Sequence, residues 1–284
     1  MVMTMKKNKL KLFFQLKVFF LSTFAILFFS SCQQVVSIDL NKADPHIVIE
    51  GTILDRPGPF TVSITKTGTY FDQSLSFPPV SSAVVTLQDN FSNTDTLKEK
   101  TPGTYYSSTI LGAVGMQYSL HVLAEGKEYT ASSTMPKKVI IDSLYAMPRV
   151  GRGGESGFDI YIAFKDPPEP GNYYRLNARS STAIPADSID GRRYRLYTDK
   201  LTNGNEMYER IRSGRNVQPG DTITVELLSI DKAAYDYFST LRDILSSDRS
   251  PTSLSPANPN TNLSNGSLGF FAAFTIDKKS IVMK

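Results

Sequence analysis

The sequence predicts a mainly β fold: an N-terminal antiparallel β-sandwich followed by a second antiparallel β domain with one amphipathic helix. Three observations predict it. Apolar and polar residues alternate with a period of two over many short runs, the pattern of half-buried strands. Turn signals separate those runs every 8 to 15 residues, among them Pro57-Gly58-Pro59, Phe77-Pro78-Pro79, Asp89-Asn90, Pro102-Gly103 and Glu125-Gly126. Only one segment, 232–247, switches to helical spacing.

Residues 1–31 read as an export signal. Lys6, Lys7, Lys9, Lys11 and Lys17 form a basic region, and Val18 to Phe29 is almost wholly apolar. Twelve such residues span roughly 18 Å as a helix, short of a ~30 Å hydrocarbon core, so a permanent membrane span is not expected. Phe29-Ser30-Ser31-Cys32 then resembles a bacterial lipobox, with Phe29 where Leu is usual. In that reading Cys32, the only cysteine, receives a diacylglyceryl group and becomes the mature N-terminus. The alternative is a free cysteine behind an ordinary signal peptide.

Residues 32–45 form a polar, lipidated tether. The sandwich domain is expected over 46–137. Its strands show at Ile47, Ile49 and Ile53, at Phe60, Val62 and Ile64, at Val85 and Leu87, and at Tyr118, Leu120 and Val122. The second domain is expected over 138–284. Phe158, Ile160, Ile162 and Phe164 give its cleanest strand, which Pro167, Pro168 and Pro170 end because proline donates nothing to a ladder. Further strands are expected at 173–179, 193–198, 207–211 and 222–229. The helix over 232–247 aligns Ala234, Tyr237, Phe238, Leu241, Ile244 and Leu245 on one face, with Asp231 as N-cap. The Pro-, Asn- and Ser-rich stretch 251–266 cannot be regular structure and is long for an idle loop. Turn chemistry there assigns packing roles to Asn262, Asn265 and Gly266. An apolar strand at 268–277 closes the chain, with a short strand at 281–283 beside it.

Charge excludes one class of partner. The formal net charge of +4 resides in the signal. Removing the 31 residues before Cys32 and their five lysines leaves 253 residues with 26 basic and 27 acidic side chains, a net charge of −1. No electrostatic case for nucleic acid remains. One cysteine excludes an intramolecular disulfide framework and a multi-cysteine zinc site.

Catalytic and cofactor motifs are missing from the sequence. Gly153-Gly154-Glu155-Ser156-Gly157 has the wrong spacing for a nucleophile elbow, and Walker A, H-E-x-x-H and EF-hand patterns do not occur. His46 and His121 read as incidental surface histidines. A carboxylate pair assembled from distant strands, as in glycoside hydrolysis, stays open as an alternative. The candidate binding residues are Arg192, Arg193, Tyr194, Arg195 and Tyr197, followed by Arg210, Arg212 and Arg215. Arginine forks suit carboxylate or phosphate, and tyrosines suit sugar faces or bases. The competing reading is a solvated strand face whose charges balance Asp187, Asp190 and Glu209.

The order of several short motifs carries a resemblance. These are Cys32, Ile47-Val48-Ile49-Glu50-Gly51, Pro59-Phe60-Thr61-Val62, Ala83-Val84-Val85, Gly103-Thr104-Tyr105, Ile141-Asp142-Ser143 and Tyr235-x-Tyr237. The closing stretch from Ser255-Pro256-Ala257-Asn258 through Asn262-Leu263-Ser264-Asn265-Gly266 to Leu268-Gly269-x-Phe271-x-Ala273 is the most specific. Together they resemble the domain of unknown function 4249 family of Bacteroidota outer-membrane lipoproteins, over essentially the whole mature chain. The first half is also similar to the carboxypeptidase-regulatory or transthyretin-like sandwich, an Ig-type β-sandwich with no catalysis of its own. The resemblance implies a lipid-anchored accessory or binding lipoprotein at the outer membrane, associated with a TonB-dependent receptor. It implies no reaction, no cofactor and no catalytic residues. A structural or adhesion protein of the envelope is the alternative, and the ligand is left open.

Overall fold

The computed structural model describes residues 45–68, 77–150, 156–181, 194–212, 219–247 and 258–284. Cys32, the signal segment, Arg192, Arg193, Arg215 and residues 251–257 lie outside them. The final strand organises everything described. β1 (Ile47–Leu54), β2 (Thr61–Lys66), β5 (Lys98–Thr101) and β6 (Thr104–Tyr106) belong to the first half, as do β3 (Val84–Asp89), β4 (Thr94–Thr96), β7 (Gln117–Ala124) and β8 (Lys127–Thr134). The second half supplies β9 (Ile141–Val150), β10 (Ser156–Lys165), β11 (Tyr173–Ser180), β12 (Arg195–Thr198), β13 (Glu206–Arg212) and β14 (Thr222–Ile230). Helix α1 (Lys232–Ser247) and strand β15 (Leu268–Val282) follow. Among the described residues no helix is long and apolar enough to cross a membrane.

Three sheets result, in the orders β4-β3-β7-β8, β13-β10-β9 and β12-β11-β14-β15-β1-β2-β6-β5. The last of these crosses from one half to the other through β15. Leu268 to Phe274 runs parallel to β1, and Thr275 to Val282 runs antiparallel to β14. Two expectations are corrected here. The closing segment is one continuous strand, because the polar run Lys278-Lys279-Ser280 interrupts the apolar signal without interrupting the ladder. Those polar side chains sit at solvent, Lys278 Nζ 3.8 Å from Glu226 and Lys279 Nζ donating to the Asp142 carbonyl at 2.9 Å. The sheets are not antiparallel throughout either. No hairpin constrains β1 and β15, so the parallel pairing is open to them.

The segment between β8 and β9 separates two hydrophobic clusters. Ile49, Ile53, Ile64, Leu87, Leu120, Tyr105 and Tyr118 fill the first, between the large sheet and the four-stranded one. Phe158, Ile160, Ile162 and Phe164 meet Leu176, Val225 and Leu227 in the second. A register shift at Ala163/Phe164 leaves Asp142 of β9 as the extra residue of a bulge. A third cluster lies under α1, where Ala234, Tyr237 and Phe238 cover Leu228, Ile230, Ala272 and Phe274. The Phe270–Phe274 run is therefore covered on both faces, which explains why it shows no alternation.

Polar side chains fasten these pieces. Asp231 caps α1, accepting from the Ala234 N–H at 2.8 Å, and also accepts from Ser133 Oγ at 2.5 Å. Ser133 Oγ in turn accepts from the Ala273 N–H at 2.8 Å, so one hydroxyl ties β8, β15 and the helix start. The Asn262 amide imitates a neighbouring strand: Oδ1 accepts from Phe271 N–H at 3.0 Å and Nδ2 donates to Phe271 O at 2.7 Å. Asn265 and Gly266 follow with positive φ in the turn that leads into β15. At Gly269 the backbones approach so closely that a Cβ would stand 2.1 Å from the Ile49 carbonyl oxygen, and φ is +96°. Only glycine fits there.

Candidate functional site

The three-stranded sheet β13-β10-β9 packs one face on the second cluster and turns the other to solvent. Pairing aligns residues of its outer face in rows: Met147 with Asp159, then Tyr145, Tyr161 and Arg210, then Ser143 and Tyr208 on either side of the buried Ala163. Tyr145 and Tyr161 stack at 5.2 Å between ring centroids with 12° between their planes. Tyr145 is still 43% exposed, Met147 53% and Tyr208 65%. Beside the stack, Asp159 lies between two guanidinium groups, with Arg149 Nε at 3.9 Å and Arg210 Nη1 at 3.5 Å. Exposed ion pairs of this kind contribute about 0–1 kcal/mol to stability, so their main effect is to orient the two arginines. A hydrogen bond to Glu206 raises the Tyr208 phenol above its ordinary value.

The candidate residues separate on inspection. Arg210 joins this outer face, and Arg212 holds the register position opposite Asp159. Arg195 does not: its Nη1 donates to the Arg210 carbonyl at 2.9 Å and bridges the edges of two sheets. Tyr197 bridges the same edges, donating to Glu209 at 3.0 Å, and burial followed by the nearby Glu209 charge pushes its phenol up to about 12. Tyr194 is corrected outright. It is 6% exposed in the cluster under α1, and its hydroxyl donates to the Phe238 carbonyl at 2.6 Å. The Arg175 guanidinium packs over the Tyr194 ring at 4.5 Å and over Phe238 at 4.2 Å. Proximity to Arg192 and Arg193 in sequence made Tyr194 look like part of a basic patch, whereas the fold uses it as core.

Buried carboxylates serve the scaffold. Burial would raise the Asp95 pKa, yet donors from Thr109, Ser108 and Ile110 hold it below its ordinary value. Asp199 accepts from the Gly171 and Asn172 N–H groups at 2.7 and 2.9 Å. Asp166 accepts from the Tyr174 hydroxyl and from the Gly204 N–H, and burial with that bond raises the tyrosine pKa strongly. Burial raises Asp231 at the helix cap. Among the described residues no cluster of His, Cys, Asp and Glu is placed to hold a metal ion.

The sequence model described as a domain of unknown function, DUF4249, matches residues 33–280. The chain belongs to the DUF4249 family. No curated protein matches it. Solved structures similar to this family member include two crystal forms of a cytokine receptor complex. The first is 10% identical with a TM-score of 0.24, covering 66% of this chain and 92% of that one. The second is 9% identical with a TM-score of 0.25, covering 83% and 95%. The BSP domain of a biofilm-associated protein is 7% identical with a TM-score of 0.22, covering 85% of this chain and 29% of the other.

The outer face of β13-β10-β9 was the part of this DUF4249 chain that sequence reasoning missed. Its signal was present in β9, where Leu144 and Ala146 alternate with Tyr145, Met147 and Arg149. Large apolar side chains at the solvent-facing positions of an alternating strand mark an outer face with more than a solvating role. The stack itself depends on register, which sequence alone does not give.

Proposed function

We propose that the protein is a lipid-anchored outer-membrane lipoprotein acting as a non-catalytic accessory or binding module in association with a TonB-dependent receptor. The observation that carries this reading is the sole cysteine, Cys32, at the end of a basic-then-apolar leader in Phe29-Ser30-Ser31-Cys32. Membership of the DUF4249 family over residues 33–280, which begins directly after that cysteine, agrees with a mature chain starting there. The employment of Asp95, Asp166, Asp199 and Asp231 as scaffold acceptors supports a binding role over a hydrolytic one. Two or more acyl chains, at ~0.8 kcal/mol per buried CH₂, hold such a chain on a membrane without a spanning helix.

Metabolic labelling with an alkynyl palmitate should mark the wild-type chain and leave Cys32→Ala unmarked. Density fractionation should then place only the wild type in outer-membrane fractions. Labelling that persists in Cys32→Ala refutes the anchor. Crosslinking in intact cells, followed by purification in detergent, should recover a TonB-dependent receptor. Recovery of none refutes the association while leaving the anchor standing.

A further inference from the structure

We infer that the solvent face of the β13-β10-β9 sheet binds an acidic oligosaccharide, with the sugar rings on Tyr145, Tyr161 and Tyr208 and a uronate carboxylate on Arg149 and Arg210. This goes beyond the proposed anchor and needs no membrane.

Three features of the face lead there. The first is its residue chemistry. The open apolar side chains are two phenols, Tyr145 and Tyr208, and one thioether, Met147, so the surface is largely aromatic while remaining hydratable. Tyr145 stacks one ring face on Tyr161 and is still 43% exposed. The C–H-rich face of a sugar ring carries partial positive charge and matches the negative face of an aromatic ring.

The second is charge. Arg149 and Arg210 share one carboxylate at 3.9 and 3.5 Å, so around Asp159 guanidinium groups outnumber carboxylates two to one, while Glu206 lies against Tyr208 at the other end. Arginine is suited to a carboxylate by its planar fork of donors. Both side chains remain more than 40% exposed, so a ligand reaches them without rearrangement.

The third is size. Three strands about 4.8 Å apart, used over eight or so residues at about 3.3 Å each, give a face of roughly 15 by 25 Å, on the order of 400 Å². A stable protein interface needs about 800 Å² per partner. A linear chain lying along the strip fits the available area, whereas a folded protein surface is too large for it. The excess of guanidinium groups around Asp159 then selects an acidic chain over a neutral one.

The test uses the full mature chain in detergent and tetragalacturonate as probe, with maltotetraose as the neutral counterpart and a short polyglutamate as the acidic peptide. Titration calorimetry reads the affinity, and tyrosine emission from wild type minus that from Tyr145→Ala, in a chain with no tryptophan, reads the face. Tetragalacturonate should bind at least tenfold more tightly than maltotetraose, and raised salt should weaken it. Tyr145→Ala and Arg210→Gln should each lower its affinity about tenfold, the loss expected for one good contact. Phe91→Ala, on the other lobe, should leave it unchanged. Arg210→Gln alters an exposed side chain, so it decides the matter if Tyr145→Ala fails to fold. Equal binding of the two sugars, unchanged affinity in Arg210→Gln, or no glycan binding at millimolar concentration overturns the proposal. Binding of polyglutamate alone also overturns it, in favour of a peptide partner. All arms read the same with Cys32→Ala, so failure here is separable from failure of the anchor.

Discussion

The outer faces of the four-stranded and three-stranded sheets differ in kind. On the four-stranded sheet of the first half, cross-strand pairing sets Thr86 opposite His121, Gln88 opposite Ser119 and His121 opposite Thr130. These are polar side chains that suit a strand, joined at one end by the exposed apolar pair Val84 and Leu123 and holding neither aromatic nor arginine. On the three-stranded sheet of the second half, the corresponding positions hold Tyr145, Met147, Tyr161, Tyr208, Arg149 and Arg210. Both sheets have a buried inner face and a cross-strand ladder, so folding alone asks the same of each. The aromatic and guanidinium groups on one of them are the difference on which the proposed glycan contact rests.

Breaking the link between the halves should have the largest effect. Gly269→Ala puts a Cβ 2.1 Å from the Ile49 carbonyl at a φ of +96°. It should cost about 4 kcal/mol, as a close backbone contact combined with a strained φ does. Denaturant melts should show both halves losing stability together, because β15 serves both. Loss confined to the first half would separate them.

Two carboxylates should respond to acid with opposite signs. Asp95→Asn should cost about 3 kcal/mol near neutral pH by leaving backbone donors facing the wrong partner. The Asp95 pKa is lowered in the fold, so its stabilisation is full above the unfolded value of 3.8 and fades as pH falls below it. The gap between wild type and Asp95→Asn should narrow there. Asp231 has a raised pKa, so the folded state holds its proton more tightly. Its contribution grows as pH falls through that raised value, and the gap between wild type and Asp231→Asn should widen. Melts from pH 7 to pH 3 check both slopes.

Ser133→Ala should cost about 2 kcal/mol by stripping a partner from the buried Ala273 N–H and from Asp231. The smallest effect sharpens the comparison most. Tyr208→Ser should change stability by no more than about 0.5 kcal/mol, as exposed surface substitutions do. A loss as large as that of Ser133→Ala would make the aromatic face structural and remove the contrast between the two sheets.

Local pattern carried much of this architecture. Helix α1 was legible because its apolar stripe has one period and its cap lies beside it in sequence. β10 was legible because one face alternates cleanly from Phe158 to Phe164. What escaped depends on distance. Covering Phe270 to Phe274 on both faces erases the alternation that would mark a strand, and nothing local shows that β1 and β15 run parallel. Tyr194 was misplaced because its neighbours in sequence are arginines, while its neighbour in space is Phe238. The Tyr145 and Tyr161 pair could be seen only once the register was known.

One consequence of the topology concerns synthesis. A ribosome delivers β1 long before residues 268–274 exist, so one hydrogen-bonding edge of β1 stays bare until the last stretch of polypeptide is made. Early termination, or a bulky fusion that hinders the C-terminal residues from reaching β1, would leave the opposite end of the chain adhesive. That is the defect quality-control proteases and holding chaperones recognise.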